Sequence, residues 1–175
     1  MNRISIIQGE HAVVSQPNTI VTTLLGSCIA VCLQDPVARV GGMNHFLLGE
    51  PNPNHAVSMQ DMQRYGIHAM ELLINGMMQK GAVRSRLRAH LYGGANITAG
   101  LRGIGSSNAE FARRYATTEG ITLGHVDVGG HHARRVEFLP FEGKARAIAV
   151  RNQSPPLPPL PLTVPVVSAG ELELF

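Results

Sequence analysis

Nowhere does the chain run apolar for long enough to span a bilayer, and Met1-Asn2-Arg3 leads into only Ile4 to Ile7 before Gln8-Gly9-Glu10 interrupts the run, so no secretory signal is visible. The expectation is a soluble protein of the cytoplasm. Cysteine is nearly absent: Cys28 and Cys32 are the only two, and they lie along one expected strand, where a mutual disulfide would need the backbone to fold back on itself. Free thiols fit a reducing compartment. Aromatic residues make up 5% and charged residues 15%, and Arg84 to Arg88 is the single basic cluster behind a net charge of +3. That falls short of a nucleic-acid footprint, which needs more basic residues and exposed aromatics. A mildly basic surface equally suits acidic, Glu-rich protein partners.

What is abundant is core material, with 44% hydrophobic residues in 175. This is one domain's worth, expected over residues 1–151. From Asn152 the composition changes, and Pro155-Pro156-Leu157-Pro158-Pro159-Leu160-Pro161 reads as extended polyproline or disordered chain, so 152–175 is expected to be a tail. Its end, Glu171 to Phe175, alternates acidic and apolar residues and suits addition to a sheet edge.

Short β-like runs open the chain at Ile4 to Ile7, Ala12 to Val14 and Thr19 to Leu25, followed by Ile29 to Leu33. Asp35-Pro36 reads as a turn, Ala38 to Val40 as the start of a return strand, and Gly41-Gly42 as a kink or bulge before His45. Gly49 to Asn54 is a Pro-rich loop just after His45, placed to rim a site at that histidine. Ser58 to Lys80 carries the first helix, with Ser58 and Asp61 as a capping box and Met62, Tyr65, Ala69, Leu72, Leu73 and Met77 at helical spacing. Its other methionines, Met59, Met70 and Met78, read as core filler. Leu87 to Tyr92 reads as a strand, then Gly93-Gly94 as a bulge or corner where the backbone passes close to something. Ser107 with Glu110 predicts a second helix from Asn108 to about Thr118. Gly103-Ile104-Gly105 lacks the third glycine and the Lys-Ser or Lys-Thr of a nucleotide loop. Ile121 to Val128, Val136 to Leu139 and Gly143 to Val150 complete the strands. Strands before, between and after two helices predict an α+β domain with helices on a mostly antiparallel sheet.

Two candidate sites stand out. Asp127 with His131-His132 has ligand chemistry but no metal spacing, and solvated loop histidines are the preferred reading. Cys28 is more informative, because it follows Gly26-Ser27, a small-residue turn whose backbone N–H groups suit an oxyanion, and His45 lies one hairpin away. A thiol needs such a neighbour to ionise at neutral pH. The residues alone leave open the plainer alternative, a buried inert cysteine beside a strand histidine.

Val21-Thr22, Leu25-Gly26-Ser27-Cys28-Ile29-Ala30-Val31 and Gly42-Met43-Asn44-His45-Phe46 resemble the signature of the CheD family, chemoreceptor glutamine deamidases of bacterial chemotaxis. Tyr92-Gly93-Gly94-Ala95-Asn96, Asn108-Ala109-Glu110-Phe111 and Asp127-Val128-Gly129-Gly130 with Arg134-Arg135-Val136 follow in the family's order. The resemblance implies a layered CheD fold, similar to the catalytic domain of cytotoxic necrotising factor toxins. It implies protein-glutamine glutaminase activity on chemotaxis receptors, with Cys28 as nucleophile, His45 as general base and acid, Thr22 orienting the imidazole, and backbone at Ser27 and Cys28 as oxyanion donors. No metal or organic cofactor is required, and Arg134-Arg135, otherwise readable as a surface pair for an acidic partner, would support the turn beside the site. Thr23 points to the other face of the strand, so a slip of one residue in register exchanges the two threonines. Two other readings stay open: a non-catalytic adaptor that binds receptors or a CheC-type phosphatase, and a thiol peptidase.

Overall fold

The run Ile29–Asp35 is apolar at almost every position, and the computed structural model, which describes residues 1–48, 59–97 and 103–151, shows why. This strand is buried on both faces. Its large residues Ile29, Val31 and Leu33 pack toward helices, while the small Ala30 and Cys32 face a second sheet. Alternating faces of one strand thereby feed two separate cores.

Around it the chain order is β1 (Asn2–Ser5), β2 (His11–Val14), β3 (Thr19–Leu25), β4 (Ile29–Asp35), β5 (Val40–Phe46), α1 (Met59–Gln79), a 3₁₀ turn (Arg84–Arg86), β6 (Arg88–Gly93), α2 (Ile104–Thr118), β7 (Thr122–Val128), β8 (Arg134–Leu139) and β9 (Lys144–Ala149). One sheet runs β1-β3-β8-β9 and the other β2-β5-β4-β6-β7. Among the described residues only the β1–β3 and β6–β7 pairs are parallel, so the sheets are mostly antiparallel as predicted. Between the sheets lie Val21, Leu25, Ala30, Cys32, Met43, Tyr92, Val136 and Phe138. On the far side of the five-stranded sheet, Met70, Leu73, Ile74 and Met77 of α1 and Phe111, Ala112 and Tyr115 of α2 cover Ile29, Val31, Leu33 and Phe46. The architecture is α+β in three layers: sheet, sheet, helices.

Several local expectations need correction. Gly41-Gly42 is not a bulge: β5 pairs with β4 without a register shift, and each glycine sits where a Cβ would collide, Gly41 with the Pro140 backbone and Gly42 with the Ala12 carbonyl. Close strand packing, not bending, demands the missing side chains. Helix α2 begins at Ile104, so Ser107 and Glu110 are inside it and cap nothing; the N-cap is Gly103, in the left-handed region at φ 89°. On α1 Leu73, Met77 and Met70 are buried as expected, but Tyr65 and Leu72 are exposed and Ile74 is buried in their place. Met78 is exposed as well. Ser58, the Gly49 to Asn54 loop, the proline-dense run and Glu171 to Phe175 lie outside the described residues.

Candidate active site

Cys28 sits in the corner between β3 and β4, immediately before Ile29. It is half-buried and packs against the cluster between the two sheets. Ala30, two residues on, pairs with His45 of β5, and paired residues on neighbouring strands point to the same side. By this register Cys28, one residue ahead of the ladder, is a diagonal neighbour of His45 on the side that faces the inter-sheet layer.

The corner itself is tied down carbonyl by carbonyl. Gly26 O accepts from Ala95 N at 3.1 Å, Ser27 O from Asn108 Nδ2 at 2.8 Å, and Cys28 O from Gly94 N at 2.8 Å. Gly93 and Gly94 take φ of 112° and 64°. A Cβ on Gly93 would collide with the Cys28 carbonyl, so the close approach expected of this pair is an approach to the Cys28 corner. Behind it, Gly129 N bonds Gly93 O and Asn96 N bonds Gly130 O, each at 2.9 Å. Arg134 holds that second turn, donating to the Asp127 carbonyl and carboxylate and to Gly129 O, while Arg135 is exposed. Asp127 is thus committed to an arginine, His131 Nδ1 lies 3.1 Å from Asn96 O, and no metal-binding cluster occurs among the described residues.

His45 is buried between the sheets, and its Nδ1 lies 2.7 Å from the Thr23 hydroxyl. The expected partner was Thr22. Thr23 shares the inward face of β3 with Val21 and Leu25, whereas Thr22 pairs across the outer face with Glu137. The Thr23 hydroxyl also donates to Ile6 O at 2.8 Å, and a carbonyl can only accept. The Thr23 proton is spoken for, so Nδ1 of His45 must be the donor toward Thr23, and Nε2 is left as the basic nitrogen. Burial holds the His45 pKa below the ordinary 6.5, against the opposing pull of the Glu10 carboxylate. The imidazole is accordingly neutral near pH 7 and able to take a proton.

The β1–β2 connection closes over this pair, a contribution that no sequence pattern marked. Gly9 N donates to His45 O at 2.8 Å, His45 N donates to Glu10 O at 3.0 Å, and Gln8 Oε1 stands 3.7 Å from Cys28 Sγ. The other thiol is different in kind. Cys32 is fully covered and burial pushes its pKa far above the thiol range, so it is inert. A cavity of about 220 Å³ lined by Glu10, His11, His45, Tyr65, His68 and Leu72 opens between β5 and α1. A hollow of about 320 Å³ lined by Leu24, Ile97, His131, His132 and Arg135 lies by the corner before Cys28, where Ile97 packs onto Gly26.

The model of the CheD family, described as CheD chemotactic sensory transduction, matches residues 47–148. A probable chemoreceptor glutamine deamidase CheD of Zymomonas mobilis subsp. mobilis is 53% identical over 153 residues, 87% of this chain and 83% of that protein. Proteins of the same name from a Caulobacter species and from Agrobacterium fabrum are 46% and 45% identical over 99% of this chain, covering 93% and 96% of their own lengths. Among solved structures, the Bacillus licheniformis hypothetical protein YfiH is similar at a TM-score of 0.43 and 16% identity, over 67% of this chain and 49% of that one. Identity at this level along nearly the whole of both sequences, through the Cys28 corner and the His45 strand that precede the matched model, means that this chain belongs to the CheD family.

Proposed function

We propose that the protein hydrolyses glutamine side-chain amides in chemotaxis receptors to glutamate, with Cys28 as nucleophile. The observation that carries this reading is the diagonal placement of Cys28 and His45 in one layer, with Thr23 holding Nδ1 so that Nε2 is the base. The relatives' names supply the substrate class. Nε2 of His45 takes the Cys28 proton, and the thiolate attacks the amide carbon of the substrate. The oxyanion that develops is met by backbone N–H at the Ser27–Cys28 corner. His45 then protonates departing ammonia, and water deprotonated by the same imidazole opens the thioester to release glutamate and regenerate the thiol. Exposed Leu24 and Ile97 beside Arg135 offer an apolar and basic shelf next to the corner, which suits a folded acidic protein as substrate better than a small amide.

The test is mass spectrometry of a receptor cytoplasmic fragment incubated with the protein. Specific glutamines should gain the small mass of replacing NH2 by OH, and Cys28→Ala should abolish the conversion. A Cys28→Ala protein that converts as fast as the parent removes the thioester route. Equal receptor binding by both proteins with no conversion by either leaves an adaptor, with a CheC-type phosphatase as its natural partner to assay.

A further inference from the structure

Asn108 is 1% exposed on α2, and the chemistry above makes no direct use of it. Both ends of its amide are engaged. Its Oδ1 accepts from Leu48 N at 3.1 Å and its Nδ2 donates to Ser27 O at 2.8 Å. Neither partner can exchange roles, because a backbone N–H only donates and a carbonyl only accepts, so the orientation of the amide is set by its neighbours. Leu48 lies just beyond the strand that carries His45, and Ser27 just before Cys28. One buried side chain on a helix therefore bridges the two segments that bear the catalytic pair.

The bond to Ser27 has a further consequence. A trans peptide is planar, with its N–H directed opposite to its carbonyl. The Ser27 carbonyl points inward to α2, so the N–H of the same peptide, that of Cys28, is directed away from the helix. Gly26 O and Cys28 O on either side are held by backbone donors, Ala95 N and Gly94 N. Only the middle peptide is aimed by a side chain. We propose that Asn108 is the positioning residue of the oxyanion site: by holding the Ser27 carbonyl inward it keeps the Cys28 N–H turned toward the substrate's carboxamide oxygen. This rests on the amide-hydrolysis reading, and it adds a residue that touches neither substrate nor thiol.

Two reactions of Cys28 separate this role from simple support. Deamidation builds an oxyanion, whereas alkylation by iodoacetamide needs only the thiolate, and with Cys32 buried the label reports Cys28 alone. Full-length Asn108→Ala and Asn108→Asp are compared with the parent for kcat, KM and alkylation rate, with Asn108→Asp assayed at alkaline pH. Asn108→Asp retains side-chain size and the acceptor for Leu48, and loses the donor to Ser27. The expected result is a kcat lower by roughly 10- to 100-fold, with KM and alkylation within about threefold of the parent. An unchanged kcat overturns the proposal, as does an alkylation rate that falls by the same factor as kcat. If neither variant folds, Asn108 is a structural strut and the proposal also fails. A parent that converts no receptor glutamine refutes the deamidase reading itself, an outcome distinct from an active parent with equally active variants.

Discussion

At the scale of single residues, the decisive pair is Thr22 and Thr23. A hydroxyl bonded to one imidazole nitrogen fixes ring orientation and tautomer, and Thr23 is the residue bonded to His45 Nδ1. Thr23→Val keeps the side-chain shape and removes the hydroxyl, so kcat for deamidation should fall by on the order of 10-fold or more, as part of the general-base contribution is lost. Thr22→Val should stay near the parent, since Thr22 faces outward opposite Glu137. Parallel steady-state rates check this; a larger loss in Thr22→Val would mean that β3 works in the other register. Nothing in the doublet Thr22-Thr23 says which member turns inward. The answer comes from Val21 and Leu25, which are buried between the sheets and leave Thr22 and Leu24 on the far face.

At the scale of elements, the β4–β5 hairpin is anchored by Asp35, which is fully buried. Its carboxylate accepts from Val37 N and Ala38 N in its own turn, from Val83 N after α1, and from the Arg86 guanidinium. Burial by itself would raise its pKa; the Arg86 bond and the three backbone donors outweigh it and bring the pKa from 3.8 to about 2. At about 1.4 kcal/mol per unit this amounts to roughly 2 kcal/mol of stability. The folded pKa lies below the unfolded one, so this stability is present above pH about 4 and is lost as pH falls toward 2. Asp35→Asn should therefore be less stable than the parent by about 2 kcal/mol in urea at neutral pH, with the difference narrowing in acid. A difference that does not change with pH would mean that the carboxylate charge contributes nothing. The turn itself was legible from Asp35-Pro36; its distant partners Val83 and Arg86 were not.

At the scale of the whole molecule, both sheets and both helices are in place by Ala149, and Val150 N still bonds Ala133 O at 2.9 Å. A fragment of residues 1–151 should accordingly keep its thermal midpoint within a few degrees of the full chain, since about 1 kcal/mol shifts a domain of this size by roughly 2–4 °C. A much larger drop, read by calorimetry, would show that residues 152–175 belong to the folded domain. The one basic cluster also finds its place at this scale. Arg84 pairs with Glu71 and Glu119, and Arg86 with Asp35, so these charges tie the segment after α1 to its neighbours. No helix among the described residues is long and apolar enough to cross a membrane.

The sequence by itself determined the class of structure and singled out the proposed pair, Cys28 and His45. Strand periodicity, glycine and proline punctuation and the spacing of Cys28 from His45 across one hairpin are local, and local patterns are written in consecutive residues. The second helix was displaced at its start for the same reason read in reverse: Ser107 and Glu110 have the residue types of a cap, but Gly105 lies against the Gly94 and Ala95 carbonyls, and only that packing admits an earlier turn of helix. Tertiary structure alone decided which threonine meets His45, that Gln8 and Glu10 close over the pair, and that Asn108 holds the Ser27 carbonyl from a helix far along the chain. These contacts join segments whose proximity depends on how two sheets and a helical layer stack. A periodicity of two names two faces of a strand, and only the stacked neighbours decide which face is the inside.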